Sequence, residues 1–598
     1  MPIPPPVPGE RLKKLFPDVT DAPPDGTFEL GLVLGGTVSA GAYTAGALDY
    51  LLEALEGWDA EADRPHQVVL KTAAGSSGGA VCAAILGLLS CRKVPHIDDA
   101  LPPAGANGNP LWDVWVDKFR IERLLEIDDL GQDADAGSGA VVQPVQHVPA
   151  LIDCRMIDEA GAALATMGQS PGVPLRFFAK PFRLAVTLAN LRGVPYKVLD
   201  IPKVKDFSGA AFVQHDDFAW FAVPNGVSPT PTTTSLGKRE DEFWLDPAAG
   251  PAASGFVGYD SLVAYATASG AMPLGLAARA LRRPAEHYHY RPHVLPQNAP
   301  PGHRVIWPEP NWDGLPDTET TGVHTFTSVD GGTFNNDPVA LAHGALAGVI
   351  GTNPSDGSTA TRAMLMIDPL ASQPKPIDNV GKSLVSVLKN IVPTFIAESR
   401  YLTADMELFA NDNVFSRFQL VPFRPEAGKT ADAALAGTSL FAAAGWCSRA
   451  FRQHDFLLGR QNMQTYLRRE LVLKANNALF NGWTLDQRKD FALDKDGGRI
   501  DVEASTPRDS YFLPILPDKT GKPPLAVPTW PKNAYNPDTL TPQLKRRLKA
   551  VVDKLVEDNV DGILPWLLEV FVLPGVVDKA ADAIVRSFKQ ELTDAGLL

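Results

Sequence analysis

The sequence has few cysteines and no surplus of basic residues, and each shortage excludes a class of protein. Only 4 cysteines occur among 598 residues, and no two of them form a CxxC pair, so a disulfide framework and a zinc-ribbon spacing are both absent. Lys and Arg number 55 against 69 Asp and Glu, which gives a net charge of -14. Because binding to nucleic acid or to anionic lipid by charge alone needs clustered basic side chains, we expect no nucleic-acid partner.

The sequence also lacks long hydrophobic runs. Its first residues, MPIPPPVPGERLKKLF, contain no apolar core of a secretory signal. The uncharged stretch from Thr72 to Cys91 begins with Thr, Ala, Gly and Ser, which are too weakly apolar for a membrane span. These absences predict a cytoplasmic protein and leave peripheral contact as the open form of membrane association.

The chain does contain enough apolar residues for a folded core. Hydrophobic residues make up 45% and charged residues 21%, which excludes wholesale disorder. The 53 prolines predict many loops and insertions. We expect a Pro-rich N-terminal arm over 1–27, an α/β domain over 28–370, and a mainly α-helical C-terminal region over 371–598 that packs on the core. Within the α/β domain, insertions are expected at about 92–180 and 223–254.

Two strand–turn–helix units open the α/β domain. FELGLVLGG, from Phe28, predicts a strand, and AGAYTAGALDYLLEALEGW has helical periodicity; VVLKTAAG, SSGG and AVCAAILGLLSC repeat the order. Because both strands are almost continuously hydrophobic, we expect a mostly parallel sheet that is buried on both faces. Further strands are predicted at 182–191 and 362–370, an amphipathic helix at about 111–127, and a helix, a turn and a second helix over 261–281.

The turn of the second unit has the pattern of a nucleophile turn. Gly75-Ser76-Ser77-Gly78-Gly79 fits G-x-S-x-G between a predicted strand and a predicted helix, which is the context that the motif requires. An abrupt strand-to-helix turn leaves no room for bulk two residues either side of its central serine. The Ser77 hydroxyl would then lie over a helix N-terminus, where amides and the helix dipole favour negative charge. The alternative is an ordinary flexible turn.

A glycine pair closes the first strand, at Gly35-Gly36-Thr37. Ester hydrolysis passes through a tetrahedral oxyanion, and each amide aimed at that oxygen contributes about 2.7–4 kcal/mol in a dry, rigid site. Glycines after a strand offer such amides without obstruction by side chains. Tight packing is one alternative, and a nucleotide loop is a weaker one, because neither GxGxxG nor GxxxxGKS/T is found here.

A serine nucleophile needs a base, and an aspartate has the most favourable position. Asp330-Gly331-Gly332 follows VHTFTSV and so begins where a predicted strand ends. Open α/β sheets place their sites at the carboxyl ends of parallel strands. The alternative is an ordinary Asp-Gly turn.

Histidine is the usual base in α/β-hydrolases, but here its candidates are weaker. Of the 11 histidines, His343 and His454 follow Asp330, and His343 lies in an apolar predicted helix, where a core or rim residue is the better interpretation. Three more alternate with tyrosine without a partnering carboxylate nearby, which favours a surface strand or loop; they are His287, His289 and His293.

Taken together, these segments resemble the patatin-like phospholipases. That family has a loop of the form GGG-x-x-RG-x-Y-x-x-G, a G-x-S-x-G elbow, and a catalytic aspartate in DGG or DGA. Here the loop is GGTVSAGAYTAG (35–46), the elbow is GSSGG, and the aspartate segment is DGGTFNNDP (330–338). ATASGAMPLG (266–275) is similar to a further family segment. The resemblance covers about 28–370 and implies a patatin-like three-layer sandwich as the catalytic domain.

The resemblance implies a serine acyl hydrolase that cleaves lipid carboxylic esters, either phospholipid or neutral lipid, with no metal and no cofactor. Ser77 would be the nucleophile and Asp330 its base, without a histidine. Because a free Asp has a pKa near 3.9, we expect partial burial to raise the pKa of Asp330. The oxyanion would be held by backbone amides at Gly35, Gly36, Thr37 and Gly78.

Two departures from the family pattern support a different function. Thr37 stands where the family has its third glycine, and Ala40 stands where it has a basic residue. The lost cation puts a phospholipid preference in doubt, and the threonine adds a side chain beside a predicted oxyanion amide. The alternative is therefore a catalytically weak or inactive relative that acts as a lipid- or protein-binding module.

Two C-terminal segments are candidates for lipid contact. LKRRLKAVVDKL (544–555) is basic on one side and apolar on the other, which fits lipid docking but fits a packed helix with a solvated face better. ILPWLLEVFVLPGVV (563–577) is too short and too interrupted to span a bilayer. Completion of the core is favoured for it over an interfacial role.

Overall fold

The computed structural model describes most of the chain, in several stretches. The described residues are 12, 15–98, 101–103, 105, 107–130, 148–170, 172–197, 211–225, 241–245, 256–294, 305–349, 353–371, 411, 413–424, 429–557 and 575–598. Most of the predicted insertion 223–254, most of the apolar segment 563–577 and the start of the predicted N-terminal arm lie outside the described residues.

A mostly parallel sheet forms the centre of the described fold. Its strands are β1 (Thr27–Leu34), β2 (Gln67–Gly75), β3 (Phe178–Lys197), β4 (Ala211–Val223), β5 (Glu242–Leu245), β6 (Phe256–Val257), β7 (Arg279–Pro284), β8 (Glu309–Pro310), β9 (Val323–Val329), β10 (Arg362–Ile367) and β11 (Arg417–Leu420). They run in the order β11-β10-β1-β2-β3-β4-β5-β6, while β8 and β9 pair with β3, and β7 pairs with β9. From β11 to β3 every pairing is parallel; β4, β8 and β9 run antiparallel to β3.

Helices connect these strands and follow them in the C-terminal region. The longer ones are α1 (Gly41–Ala60), α2 (Gly78–Leu89), α3 (Arg155–Gly168), α4 (Tyr259–Ser269), α5 (Val339–Ala347), α6 (Arg449–Arg469), α7 (Leu540–Glu557) and α8 (Val576–Asp594). Short helices comprise Pro110–Trp112, Asp113–Lys118, Ile121–Leu124, Pro316–Thr321, Ser439–Ala442, Ala444–Cys447 and Leu485–Phe491. Small antiparallel pairs join His293–Val294 to Val305–Ile306, Phe423–Arg424 to Lys429–Thr430, and Val472–Lys474 to Phe512–Pro514.

Alternation of side chains places an apolar layer on each face of the sheet. In β1, Leu32 and Leu34 pack into the core that contains α1 and α2, whereas Val33 packs into the core that contains α5. In β10, Leu365 lies in the first core and Met364 in the second. Successive residues of a strand point to opposite faces, so a strand covered on both faces has to be apolar throughout. The prediction of an α/β fold with a mostly parallel central sheet is confirmed.

The predicted second helix within 261–281 is wrong. The chain leaves α4 at Ser269 and enters β7, which pairs antiparallel with β9. Leu281 and Arg283 are buried while Arg282 between them is exposed, so the segment has the two-residue period of a strand. Because a buried position is an arginine, the hydrophobic pattern does not display that period.

The predicted helix at about 111–127 is divided into three short segments. Its central part, Asp113–Lys118, is π-helical, and the chain is extended at Phe119. The carbonyl of Val116 accepts two hydrogen bonds from the Arg452 guanidinium, at 2.9 and 2.8 Å. A contact with α6 therefore takes up a carbonyl that would otherwise serve the helix, and the helix ends soon after it.

The C-terminal region is built into the core by a strand as well as by helices. β11 extends the central sheet next to β10. α6 lies against α1 so closely that a Cβ on Gly46 or on Gly459 would collide with the backbone of the opposite helix. No helix in the described stretches combines the length and the hydropathy needed to cross a bilayer.

Candidate active site

Ser77 lies on a strained turn between β2 and α2. Its φ of 51° and ψ of -126° are unusual for a residue with a side chain. A Cβ on Gly75 would lie 2.5 Å from the carbonyl oxygen of Gly79, and a Cβ on Gly79 would lie 2.6 Å from the carbonyl oxygen of Gly35. Both glycines of the G-x-S-x-G pattern are therefore required by sterics, as expected for a sharp elbow.

The structure brings Ser77 and Asp330 together across 253 residues of sequence. The Ser77 hydroxyl donates a 2.7 Å hydrogen bond to Asp330 Oδ2. The other carboxylate oxygen, Oδ1, accepts from the Gly332 amide at 2.7 Å, and the Asp330 amide donates to the carbonyl of Ala271 at 2.8 Å. Asp330 follows β9 directly, so the strand end and these bonds fix its carboxylate against the serine.

Burial changes the acidity of Asp330. Asp330 is only 8% exposed, and this burial raises its pKa to about 6. The hydrogen bonds from Ser77 and Gly332 act in the opposite direction and lower the pKa. Burial disfavours the charged form of a carboxyl. The expected direction of this pKa shift is confirmed, and the carboxylate is a stronger base than a free aspartate while still ionised at neutral pH.

The four predicted oxyanion amides do not have equal freedom. The Gly36 amide donates to the carbonyl of Asn336 at 3.3 Å, so it is already occupied, contrary to the expectation. Gly35 lies against Asp337, whose Oδ1 would be 2.6 Å from a Cβ at that position. Within the part of the chain that the structure describes, the amides of Thr37 and Gly78 make no hydrogen bond. A Cβ on Gly78 would collide with the Thr37 hydroxyl, which shows that Thr37 and Gly78 lie next to each other in space. The two free amides therefore belong to adjacent residues beside Ser77.

The loop that carries Thr37 is held by the C-terminal region. Val38 has a φ of 48°, which is a strained value for a β-branched residue. The next residue, Ser39, donates to the carbonyl of Ala442 at 2.5 Å and accepts from the Gly445 amide at 3.1 Å. Ala442 also has a positive φ, of 64°. Strained backbone on both sides of a contact persists only when the surroundings enforce it, so this contact fixes the loop.

A buried arginine supports the same contact. Arg452 is 3% exposed and donates to the carbonyls of Val116 and, at 2.6 Å, of Gly445. Burial lowers its pKa to about 10, so the side chain remains cationic at neutral pH. One rigid planar group thus joins the segment that bears Trp115 to the segment that bears Trp446.

A cavity of about 70 Å³ opens beside Ser77 and Asp330. Its wall is mostly apolar and includes Trp115, Phe119 and Trp446. The ring centroid of Phe119 lies 6.0 Å from that of Trp115 and 6.3 Å from that of Trp446, so the three side chains form a continuous aromatic surface. The remaining lining residues are Val38, Gly78, Val81, Ile157, Thr267, Gly270, Ala271, Met272, Leu276, Ala277 and Arg279.

The histidines lie away from this cavity: none of those in the described stretches lines it. His343 lies on α5, and burial lowers its pKa to about 4. His454 is buried on α6 with its Nδ1 2.8 Å from Asp455. In the tyrosine-interleaved cluster, His289 does have a carboxylate partner, Glu309 at 2.8 Å, which sequence alone did not show. The dyad therefore has no described histidine beside it.

Several residues of the site were not singled out from the sequence. Ser269 accepts the Ser77 amide at 2.9 Å, and Asn336 holds Gly36. Both lie in segments that carry the patatin-like resemblance, so a signal existed for them. Trp446 and Arg452 lie more than 70 residues after the predicted α/β domain and had no signal in the sequence. Only folding brings Trp446 to the cavity wall and Arg452 to the carbonyls of Val116 and Gly445.

No protein-family model matches this sequence. The chain is similar to the uncharacterized protein y4iI of Sinorhizobium fredii, with 27% identity over 613 aligned positions that cover 95% of this chain and 81% of that protein. The name of that relative states no activity, so the chemistry of this chain has to be argued from its site.

Proposed function

We propose that the protein is a serine acyl hydrolase of the patatin-like class that cleaves lipid carboxylic esters. The observation that carries this proposal is the 2.7 Å hydrogen bond from Ser77 Oγ to Asp330 Oδ2. Ser77 stands at a strained elbow over the N-terminus of α2, as a nucleophile in an α/β hydrolase does. The mostly parallel sheet with helices on both faces supports the finer assignment to a patatin-like three-layer sandwich.

In the acylation half of the reaction, Ser77 Oγ attacks the ester carbonyl carbon while its proton passes to Asp330. The carbonyl oxygen becomes an oxyanion, which the amides of Thr37 and Gly78 stabilise in this proposal. When the tetrahedral intermediate collapses, the bond from carbon to the alcohol oxygen breaks. The alcohol leaves with the proton held by Asp330, and Ser77 remains acylated.

In the deacylation half, a water molecule attacks the acyl-enzyme and gives its proton to Asp330. Collapse of the second tetrahedral intermediate breaks the bond to Ser77 Oγ, which recovers the proton. The carboxylic acid is released. A carboxylate with a pKa of about 6 suits both transfers, because it can accept a proton at neutral pH and return it.

The cavity indicates an apolar acyl group. The aromatic surface of Trp115, Phe119 and Trp446 lies within the cavity that contains Ser77, and apolar walls with few polar groups are typical of sites for apolar ligands. Burial of each methylene group there contributes about 0.8 kcal/mol. A lipid ester is therefore the substrate class that the wall supports best.

The test is turnover of p-nitrophenyl butyrate together with covalent labelling by a fluorophosphonate. We expect the wild-type protein to hydrolyse the ester and to carry the label on Ser77, and Ser77→Ala to lose both. Ser76→Ala is the matched control, because Ser76 is the adjacent buried serine, and it should keep the label. Retention of turnover in Ser77→Ala would overturn the proposal.

A second candidate is a weak or inactive relative that binds lipid or protein. The observation that favours it is the Gly36 amide, which is bound to Asn336 and so is lost to the oxyanion. This candidate predicts little or no turnover and little or no labelling, but binding of a fluorescent fatty acid that Trp446→Ala weakens. Efficient ester turnover that depends on Ser77 would exclude it.

A further inference from the structure

One cation lines the cavity among the residues that the structure describes. Apart from Asp330, Arg279 at the start of β7 is the charged residue in its wall. A guanidinium in an otherwise apolar wall is costly unless something negative faces it. Its position therefore raises the question of which anion it serves.

Arg279 lies at the rim of the cavity and has an incomplete set of partners. Its Nη2 is 2.6 Å from Asp158 Oδ1, and the side chains of Arg279 and Asp158 are 25% and 52% exposed. Its Nε is buried and has no hydrogen-bond partner among the described residues. A guanidinium presents a planar fork that suits a two-oxygen anion such as a carboxylate or a phosphate.

Asp158 does not prevent such an anion from binding. It lies on α3 and is more than half exposed, and ion pairs of exposed side chains are weak because water screens them. Ser77 and Asp330 are 7% and 8% exposed, whereas the Arg279 side chain is 25% exposed, so the serine and the carboxylate lie deeper than the guanidinium. An anionic group avoids the Asp330 carboxylate and meets the guanidinium when the ligand lies with its apolar part inward.

We propose that Arg279 binds a single negative charge on the substrate, so that the cavity selects anionic amphiphilic esters over neutral ones. This inference rests on the proposed hydrolase function for its meaning in catalysis. The charge is a carboxylate or a phosphate, since both match the guanidinium fork. The apolar part of the ligand contacts the aromatic wall, and the charged part stays at the rim.

The test measures binding separately from turnover. Octanoate, octyl phosphate and octanol are titrated into the protein by calorimetry, and each is also used to inhibit hydrolysis of p-nitrophenyl butyrate. We expect at least one anion to bind about tenfold more tightly than octanol, as for one charge-assisted hydrogen bond. The stronger of the two anions identifies the group that Arg279 recognises.

Three variants decide the assignment. Arg279→Gln should abolish the preference for the anion, and Asp158→Asn should increase it several-fold because the guanidinium loses a competitor. Arg282→Gln is the matched control: Arg282 lies on the same strand with an exposed side and should leave the preference unchanged. Circular dichroism and thermal melting establish that each variant is folded.

The outcomes separate this inference from the proposed function. Turnover that depends on Ser77, without any preference for an anion that depends on Arg279, overturns the inference and keeps the function. Anion binding that depends on Arg279, in a protein without turnover, overturns the function and keeps Arg279 as an anion-binding residue. Equal binding of octanol and both anions by the wild-type protein also overturns the inference.

Discussion

The candidate active site is assembled from two regions that are built in different ways. On the sheet side, Asp330 follows β9 directly and Ser77 lies two residues after the end of β2, and both are fixed by strand ends and by glycines. On the C-terminal side, the segment around Gly445 contacts the loop through hydrogen bonds to main-chain groups. In the proposed function the sheet side carries the reacting atoms, and the C-terminal side contacts the loop and contributes Trp446 to the cavity wall.

The two sides also differ in how much the sequence reveals about them. Strand ends and glycine turns have local patterns, because sterics act between neighbouring residues. The C-terminal contact has none, because the partners of Arg452 are carbonyl groups, which every residue possesses. Substitutions on the sheet side should therefore lower kcat and kcat/KM most, and substitutions on the C-terminal side should lower them less.

The largest effect is expected for Asp330→Asn. An amide cannot accept the serine proton, so kcat should fall by about 10³–10⁴, as measured with p-nitrophenyl butyrate. The free energy of unfolding, in contrast to activity, should increase at high pH when Asp330 is replaced by Asn. Because the folded-state pKa is about 6, above the unfolded value near 3.9, stability from this group is present at low pH and is lost as pH rises through 6.

Melting curves at two pH values check that sign. The Tm of Asp330→Asn minus the Tm of wild type should be larger at pH 8 than at pH 4.5, because at pH 8 the wild-type protein has a buried charge that the variant lacks. A variant that retains turnover would remove Asp330 from the chemistry and break the comparison on its sheet side.

A second large effect is expected for Gly79→Ala. The new Cβ would lie 2.6 Å from the Gly35 carbonyl oxygen, so the elbow has to shift at a cost of about 1–3 kcal/mol in unfolding free energy. Displacement of Ser77 should lower kcat/KM by about a hundredfold. Gly270→Ala is the control, because the nearest atom to a Cβ at that position would be the Thr267 carbonyl oxygen at 3.7 Å, which is an ordinary contact. The Tm of this variant should be unchanged.

The pH dependence of the reaction should follow Asp330. Below the pKa of about 6 the base is protonated, so kcat/KM should rise about tenfold per pH unit and then level off above pH 7. The measurement is a profile from pH 4.5 to 8.5 with wild-type protein. A profile that is flat across this range would show that another group supplies the base.

The smallest effect is expected on the C-terminal side, for Ser39→Ala. The variant loses the bonds to Ala442 and Gly445, each worth about 1 kcal/mol, and kcat/KM should fall about tenfold. Ser358→Ala, in an exposed loop with a local partner, Asp356, is the control and should be neutral. A loss as large as that of Asp330→Asn would mean that the loop contact carries chemistry rather than shape.

Much of the fold was predictable because it depends on local patterns. The strand–turn–helix units and the order β1, α1, β2, α2 follow from continuous apolar strands and glycine turns. The strand β7 was missed because Arg283 occupies a buried position. The division of the predicted helix at 111–127 was missed because the guanidinium that takes up the Val116 carbonyl belongs to Arg452, more than 330 residues away in sequence.

The sequence by itself determined which residues are the candidates for catalysis, since a serine between small residues at a strand-to-helix turn and an aspartate at a strand end are local features. Tertiary structure alone decided that Ser77 Oγ and Asp330 Oδ2 are 2.7 Å apart. It also decided which amides beside Ser77 remain free, and that Trp446 and Arg279 complete the cavity wall. The physical reason is that sterics and hydrophobic period act over a few residues. Burial, carbonyl partners and the pKa of Asp330 depend on segments that are distant along the chain.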